Sequence, residues 1–106
     1  MARNIGDLQQ LVMLAIARLG DGAYGGSVRD ELERVGQRSV SVSTVYVTMV
    51  RLEADGLVAS RREAGGPDAH GGRRRRFFAL TAEGKRTLVA SRQSFARMWD
   101  GLELEG

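Results

Sequence analysis

The sequence predicts a mainly α fold with one small β-hairpin. Three observations carry this: four stretches with apolar residues at helical spacing, one pair of short strand-like runs, and a length of 106 residues that suits one domain. The expected order is helix, helix, helix, hairpin, helix.

In the first element Leu8, Leu11, Val12, Ala15, Ile16 and Leu19 recur at helical intervals until Gly20 and Gly22 break the pattern, which predicts a helix over about 7–19. The second is expected over about 25–35. Val28, Leu32 and Val35 form its apolar stripe, Arg29, Asp30, Glu31, Glu33 and Arg34 its wet face, and Gly36 its stop. Its glycine-rich start is its weakest point.

The third helix starts at Ser41 or Ser43, either of which can cap it, and stops at Gly56 after Asp55. Val45, Met49 and Leu52 share one face. Ser43, Thr44, Val47, Thr48 and Arg51 point largely away from it. A short outer face of hydroxyls with one arginine suits a DNA groove, because hydroxyls reach phosphates or bases and arginine can fork onto guanine. A solvated helix face has the same composition, so this feature alone leaves both readings open.

The hairpin follows, with one strand over 57–62 and a second over 74–80, on which Phe78 and Leu80 share the parity that faces a core. Residues 65–72 between them are rich in glycine and read as the tip. Between Arg61 and Phe78 lie six arginines against two acidic residues, a local excess of four, whereas the whole chain carries only +3. A clustered basic run on a hairpin is what phosphate binding requires, since each neutralised phosphate releases counterions.

The last helix opens at Thr81, a good N-cap, and is expected to run to about Leu102. Leu88, Phe95, Trp99 and Leu102 fall on one stripe, with Met98 beside it. A long terminal helix that keeps an apolar stripe beyond the compact core must bury it, and a second copy is the simplest partner. Homodimerisation through Leu88, Phe95, Trp99 and Leu102 is therefore expected.

Other signals are weaker. The Arg3-led apolar run from Leu11 to Ala17 superficially resembles an export signal, but polar residues interrupt its approach and removing it would delete a well-formed helix. No stretch approaches the ~18 apolar residues that cross a bilayer. With no cysteine, disulfides and thiol catalysis are excluded and a reducing cytoplasm is the simplest compartment. Gly20-Asp21-Gly22-Ala23-Tyr24-Gly25 spells G-x-G-x-x-G, yet it follows a helix rather than a strand and reads as an interhelical turn. His70 is the only histidine and sits in the glycine-rich tip, so no metal site and no cofactor are expected. No base is placed beside a nucleophile, and no carboxylate pair is set in a pocket, so no enzyme activity is expected.

Three helices and a hairpin make a winged helix-turn-helix, here with an additional C-terminal dimerisation helix. Nearly the whole chain resembles the PadR family of winged-helix regulators. The resemblance rests on Leu19-Gly20 and Ala23-Tyr24-Gly25; on Ser43-Thr44-Val45-Tyr46 with Met49, Leu52, Glu53 and Gly56-Leu57-Val58; and on residues 72–81 with Gly84. Met49 where leucine is usual, and Phe77-Phe78 for the commoner tyrosines, keep the polarity of those positions.

The resemblance implies a homodimeric repressor on double-stranded DNA. It would bind inverted repeats, with the third helix in the major groove and the hairpin on the backbone or minor groove. Residues 1–80 would form the DNA-binding unit and residues 81–106 the dimerisation helix. Ser43, Thr44, Val47, Thr48 and Arg51 become the groove-facing candidates, and Arg73, Arg74 and Arg75 those of the wing. Tyr46 matches the family's aromatic position, which serves packing against the second helix or a phosphate contact. Some relatives accept planar aromatic or cationic compounds between their terminal helices, which makes Phe95, Met98 and Trp99 candidates for an effector site. The rival reading is a winged-helix module for RNA or a protein partner, without operator specificity.

Overall fold

Apolar side chains at helical spacing build the first two elements. The structure, a computed structural model, describes residues 5–63 and 75–105. Helix α1 (Asp7–Leu19) buries Val12, Met13, Ala15 and Ile16. Its start is tied down by Gln9, whose side-chain oxygen accepts from the Gly6 amide at 3.0 Å. A single 3-10 turn (Gly20–Gly22) leads on, so the G-x-G-x-x-G string is indeed an interhelical turn.

Helix α2 (Gly25–Arg34) begins on two glycines, and Ser27 holds that start together. Its hydroxyl accepts from the Tyr24 amide at 2.9 Å and donates to the Gly22 carbonyl at 2.6 Å. The helix ends one residue before the expected Val35, and Gly36 is not a left-handed stop. The positive φ belongs to Gln37, at 54°, while a Cβ on Gly36 would sit 2.8 Å from the Leu32 carbonyl oxygen. Close backbone approach, not left-handed geometry, is what needs glycine there. Glu31 is covered and clamped by Arg18 of α1 and Arg34, each at 2.8 Å. These two cations, Arg18 foremost, hold its carboxyl below the usual range against the opposing effect of burial.

Helix α3 (Val42–Ala54) settles the choice of cap: the Ser41 hydroxyl accepts from the Thr44 amide at 3.1 Å. It closes on Gly56 at φ +77°, with the Gly56 amide donating to Glu53 and the Leu57 amide to Leu52, the paired pattern of a helix ended by a left-handed residue. Strands β1 (Val58–Arg62) and β2 (Arg76–Leu80) pair antiparallel with Ser60 opposite Phe78. The Phe78 amide donates to the Ala23 carbonyl at 2.8 Å, which fastens the hairpin to the α1–α2 connection. Helix α4 (Ala82–Trp99) is capped by Thr81 as expected and ends three residues short of Leu102.

The core gathers the inward faces of α1, α2 and α3 with Leu57, Val58 and Phe78 from the hairpin. Burying Phe78 contributes roughly 1.5–3 kcal/mol. Helix α4 rests on α1 only through its first half: Gly84 and Thr87 are buried, Leu88 is half-buried against the core, and the Ser91 hydroxyl donates to Gln10 Oε1 at 2.6 Å. Beyond Ser91 its residues are exposed. The radius of gyration is 15.5 Å, against about 13 Å for a compact chain of this size. No helix among the described residues is long and apolar enough to cross a membrane.

Candidate nucleic-acid interface

The outer part of α3 meets the base of the hairpin through Tyr46, beside the packing that closes the core. Because Val45, Met49 and Leu52 point inward, the opposite side of α3 presents Ser43, Thr44, Tyr46, Val47 and Arg51 to solvent. At its start the Ser41 hydroxyl bonds to that of Thr44 at 2.9 Å and lies 3.2 Å from that of Ser43. Three hydroxyls thus cluster at the positive end of a helix, where anionic oxygens are favoured.

Thr48 is a correction. It is only 8% exposed, and its hydroxyl donates to the Thr44 carbonyl at 2.8 Å, one turn back along α3. The apolar face of α3 is wider than the Val45–Met49–Leu52 stripe, and a threonine that satisfies its own hydroxyl locally fits under it. Val42 and Val50 are exposed instead, two residues that the sequence reading leaves off this face. Val50 follows Val47 by three residues and Tyr46 by four, a spacing that identifies it as part of the same surface.

Tyr46 packs against the hairpin. Its ring meets Phe78 edge-on with centroids 6.3 Å apart, and its hydroxyl accepts from Arg76 Nη1 at 2.8 Å. Arg76 also donates through Nε to Ser60 Oγ at 3.0 Å and through Nη2 to Glu53 Oε1. Ser60 in turn donates to Glu53 Oε2 at 2.5 Å, so strand and helix share a closed ring of bonds. The Ser60 hydroxyl foremost, and the Arg76 cation, hold the Glu53 carboxyl below its usual range against burial. Tyr46 first, and then Glu53, push Arg76 further toward its charged form.

On the other side of the hairpin, cations and rings alternate. Arg75 lies over the Tyr24 ring at 4.4 Å, Tyr24 meets Phe77 edge-on at 5.6 Å, and Arg61 lies over Phe77 at 4.8 Å while donating to the Asp21 carbonyl. Such stacking fixes the stems of long cations and leaves their charge available to an anion. Arg61 and Arg62 are exposed on β1, so the basic surface includes the first strand, although the expected wing residues all follow the tip. Arg73, Arg74 and His70 lie outside the described residues.

The C-terminal candidates divide. Leu88 packs against the core of its own chain, where the sequence reading expects a dimer contact, because helical spacing places it within the half of α4 that docks on α1. Phe95, Met98 and Trp99 are 59%, 75% and 57% exposed on the overhang. Leu102, beyond the helix, is also exposed, with its amide on the Trp99 carbonyl at 3.0 Å. Among the described residues no three histidine, cysteine or carboxylate side chains group to hold a metal.

This arrangement agrees with what the chain is similar to. The transcriptional regulator Rv3488 of Mycobacterium tuberculosis is 36% identical over 75 residues, spanning 71% of this chain and 64% of that protein. A solved PadR family transcriptional regulator from Eggerthella lenta superposes with a TM-score of 0.68 at 32% identity, covering 90% of this chain and 81% of that one. A PadR family regulator from hypervirulent Clostridium difficile gives 0.68 at 25% identity, over 88% and 91% of the two chains. Residues 13–90 match the transcriptional regulator PadR-like family, and the chain is a member of that family with its winged-helix fold.

Proposed function

We propose that the protein is a homodimeric repressor that recognises an inverted repeat in double-stranded DNA. Residues 1–80 serve as the reading unit and residues 81–106 join the two copies. The observation that carries this reading is the exposed side of α3, with Ser43, Thr44, Val47 and Arg51, on the same chain as a hairpin that exposes Arg61 and Arg62 and stacks Arg75 over Tyr24. Side chains on α3 read base edges, and the arginines neutralise the backbone on either side.

The test is selection of bound fragments from genomic DNA, followed by competition of a selected duplex against a random one over a salt series. The repressor reading expects an inverted repeat in the selected pool and a clear preference for it. Equal binding of both duplexes would favour the rival module for RNA or protein. Replacing Arg73, Arg74 and Arg75 with alanine is expected to weaken both duplexes alike. The salt dependence should flatten by about one unit of slope for each phosphate that no longer meets a cation. An unchanged slope would remove these arginines from the interface.

A second element of the reading concerns an effector. Phe95, Met98 and Trp99 expose two flat rings and a thioether within five residues, a surface that can stack a planar aromatic cation as well as pack against a second copy. Titrating acriflavine into the protein is expected to quench Trp99, the single tryptophan, and to release the selected duplex. Unaltered fluorescence and binding would leave these residues to dimerisation alone.

A further inference from the structure

We propose that Glu53, Ser60 and Arg76 form a positioning device that sets the angle of the hairpin against α3, and that Arg76 is not a backbone ligand although it belongs to the basic run. This rests on the DNA-binding reading above. Each of the three guanidinium nitrogens of Arg76 donates within the protein: Nε to Ser60, Nη1 to Tyr46 and Nη2 to Glu53. Its guanidinium carbon lies 5.2 Å from the centre of the Phe78 ring and 5.9 Å from that of Tyr46. Both members of the ion pair are about three-quarters covered, at 25% and 29% side-chain exposure. Arg61 and Arg62 of the same hairpin are exposed, and Arg61 is held by the Phe77 ring and the Asp21 carbonyl rather than by an ion pair.

The bonds span three elements. Glu53 and Tyr46 stand on α3, Ser60 on β1 and Arg76 on β2, two residues before the buried Phe78. A planar guanidinium with fixed donor directions can meet three acceptors only at one relative placement of helix and strands. Such a joint transmits register: with α3 seated in a groove, the hairpin arginines arrive at a defined distance along the backbone.

The proposal and simple electrostatics predict opposite signs. Glu53→Gln removes a negative charge beside a surface meant for a polyanion and frees Arg76 to reach it, so charge alone predicts tighter binding. Positioning predicts a loss of about tenfold on a duplex selected by the wild type, the size one coupled interaction carries, with no loss on a random duplex. Arg76→Lys keeps the charge but cannot make the three bonds. It is expected to lose affinity for the selected duplex by a similar factor, while the slope against salt stays unchanged.

Each titration is scaled to the folded fraction measured by circular dichroism, so a merely structural role would leave the ratio of selected to random binding unmoved. If Glu53→Gln does not fold, Arg76→Lys decides alone. A Glu53→Gln protein that binds the selected duplex as tightly as the wild type or tighter overturns the proposal, as does an Arg76→Lys protein with wild-type affinity. Failure of the wild type itself to prefer any duplex overturns the DNA reading and this assignment with it, an outcome visible before any variant is made.

Discussion

Replacing Phe95 with glutamate is expected to abolish the proposed dimer and to cut affinity for an inverted repeat by a factor of about 100 or more. Phe95, Met98 and Trp99 on the end of α4, and Leu102 just past it, are all more than half exposed. A second apolar feature, a groove of about 390 Å³ between α1 and α2 lined by Leu11, Leu14, Leu32 and Val35, is likewise open to water. A single chain that leaves both surfaces uncovered gives up the burial that a second copy can supply. A central aromatic in such an interface carries roughly 2–4 kcal/mol, or ~30- to 1,000-fold in the dimer dissociation constant, and a buried charge in its place adds to the loss. Two reading units joined in one particle gain a factor of about 10² to 10⁴ over one, because the second half-site is met at high effective concentration. Sedimentation should therefore show the variant as monomer at micromolar concentration, with binding to an isolated half-site unchanged. A Phe95→Glu protein that sediments as a dimer would exclude this stripe as the interface.

The features legible in the sequence are those set by local periodicity and by single capping residues. Helix α1 lies where its apolar spacing puts it, Thr81 caps α4, Gly56 closes α3, and Phe78 is the buried residue of its strand. Periodicity says which residues share a face but not how wide the buried arc is. Thr48, which its position on the wheel assigns to the groove, therefore lies under the helix, while Val42 and Val50 emerge on the surface. Spacing also cannot tell how far along α4 the docking surface extends. Leu88 and Phe95 share a stripe, yet one packs on the core and the other hangs beyond it. Arg76 is the clearest case. Strand parity puts it on the side of Phe78 and Leu80, but only the pairing of β2 with β1 and the closeness of α3 give it Ser60 and Glu53 as partners there. Bonds that join residues 23 positions apart depend on tertiary closure, which local spacing does not encode.

Gly84→Ala is expected to lower stability by several kcal/mol, against the sign that helix propensity predicts. In an ordinary helix interior alanine is favoured over glycine by about 1 kcal/mol. Gly84 is buried in the first turn of α4, where its amide donates to the Thr81 hydroxyl at 3.0 Å and that hydroxyl donates to the Gly56 carbonyl at 2.7 Å. The Thr81 amide donates to the Leu57 carbonyl at 3.1 Å, which draws the helix start onto the chain just after α3. A Cβ on Gly84 would lie 2.0 Å from that same Leu57 oxygen and 3.0 Å from its carbonyl carbon. Both are backbone atoms, so no rotamer change relieves the clash. Either α4 lifts off and uncovers Thr87 and Leu88, or the α3–β1 junction shifts; overpacking of this kind costs about 1–3 kcal/mol and more where the backbone resists. The consequence reaches beyond stability, because this junction fixes the direction in which α4 carries its apolar end away from α3, and hence the separation of the two reading helices in a dimer. Urea midpoints should fall for Gly84→Ala and stay near wild type for Gly22→Ala, where a Cβ meets nothing within 4 Å. A Gly84→Ala midpoint at or above the wild-type value would show that the α4 start is free to move and that the joint does not set this geometry.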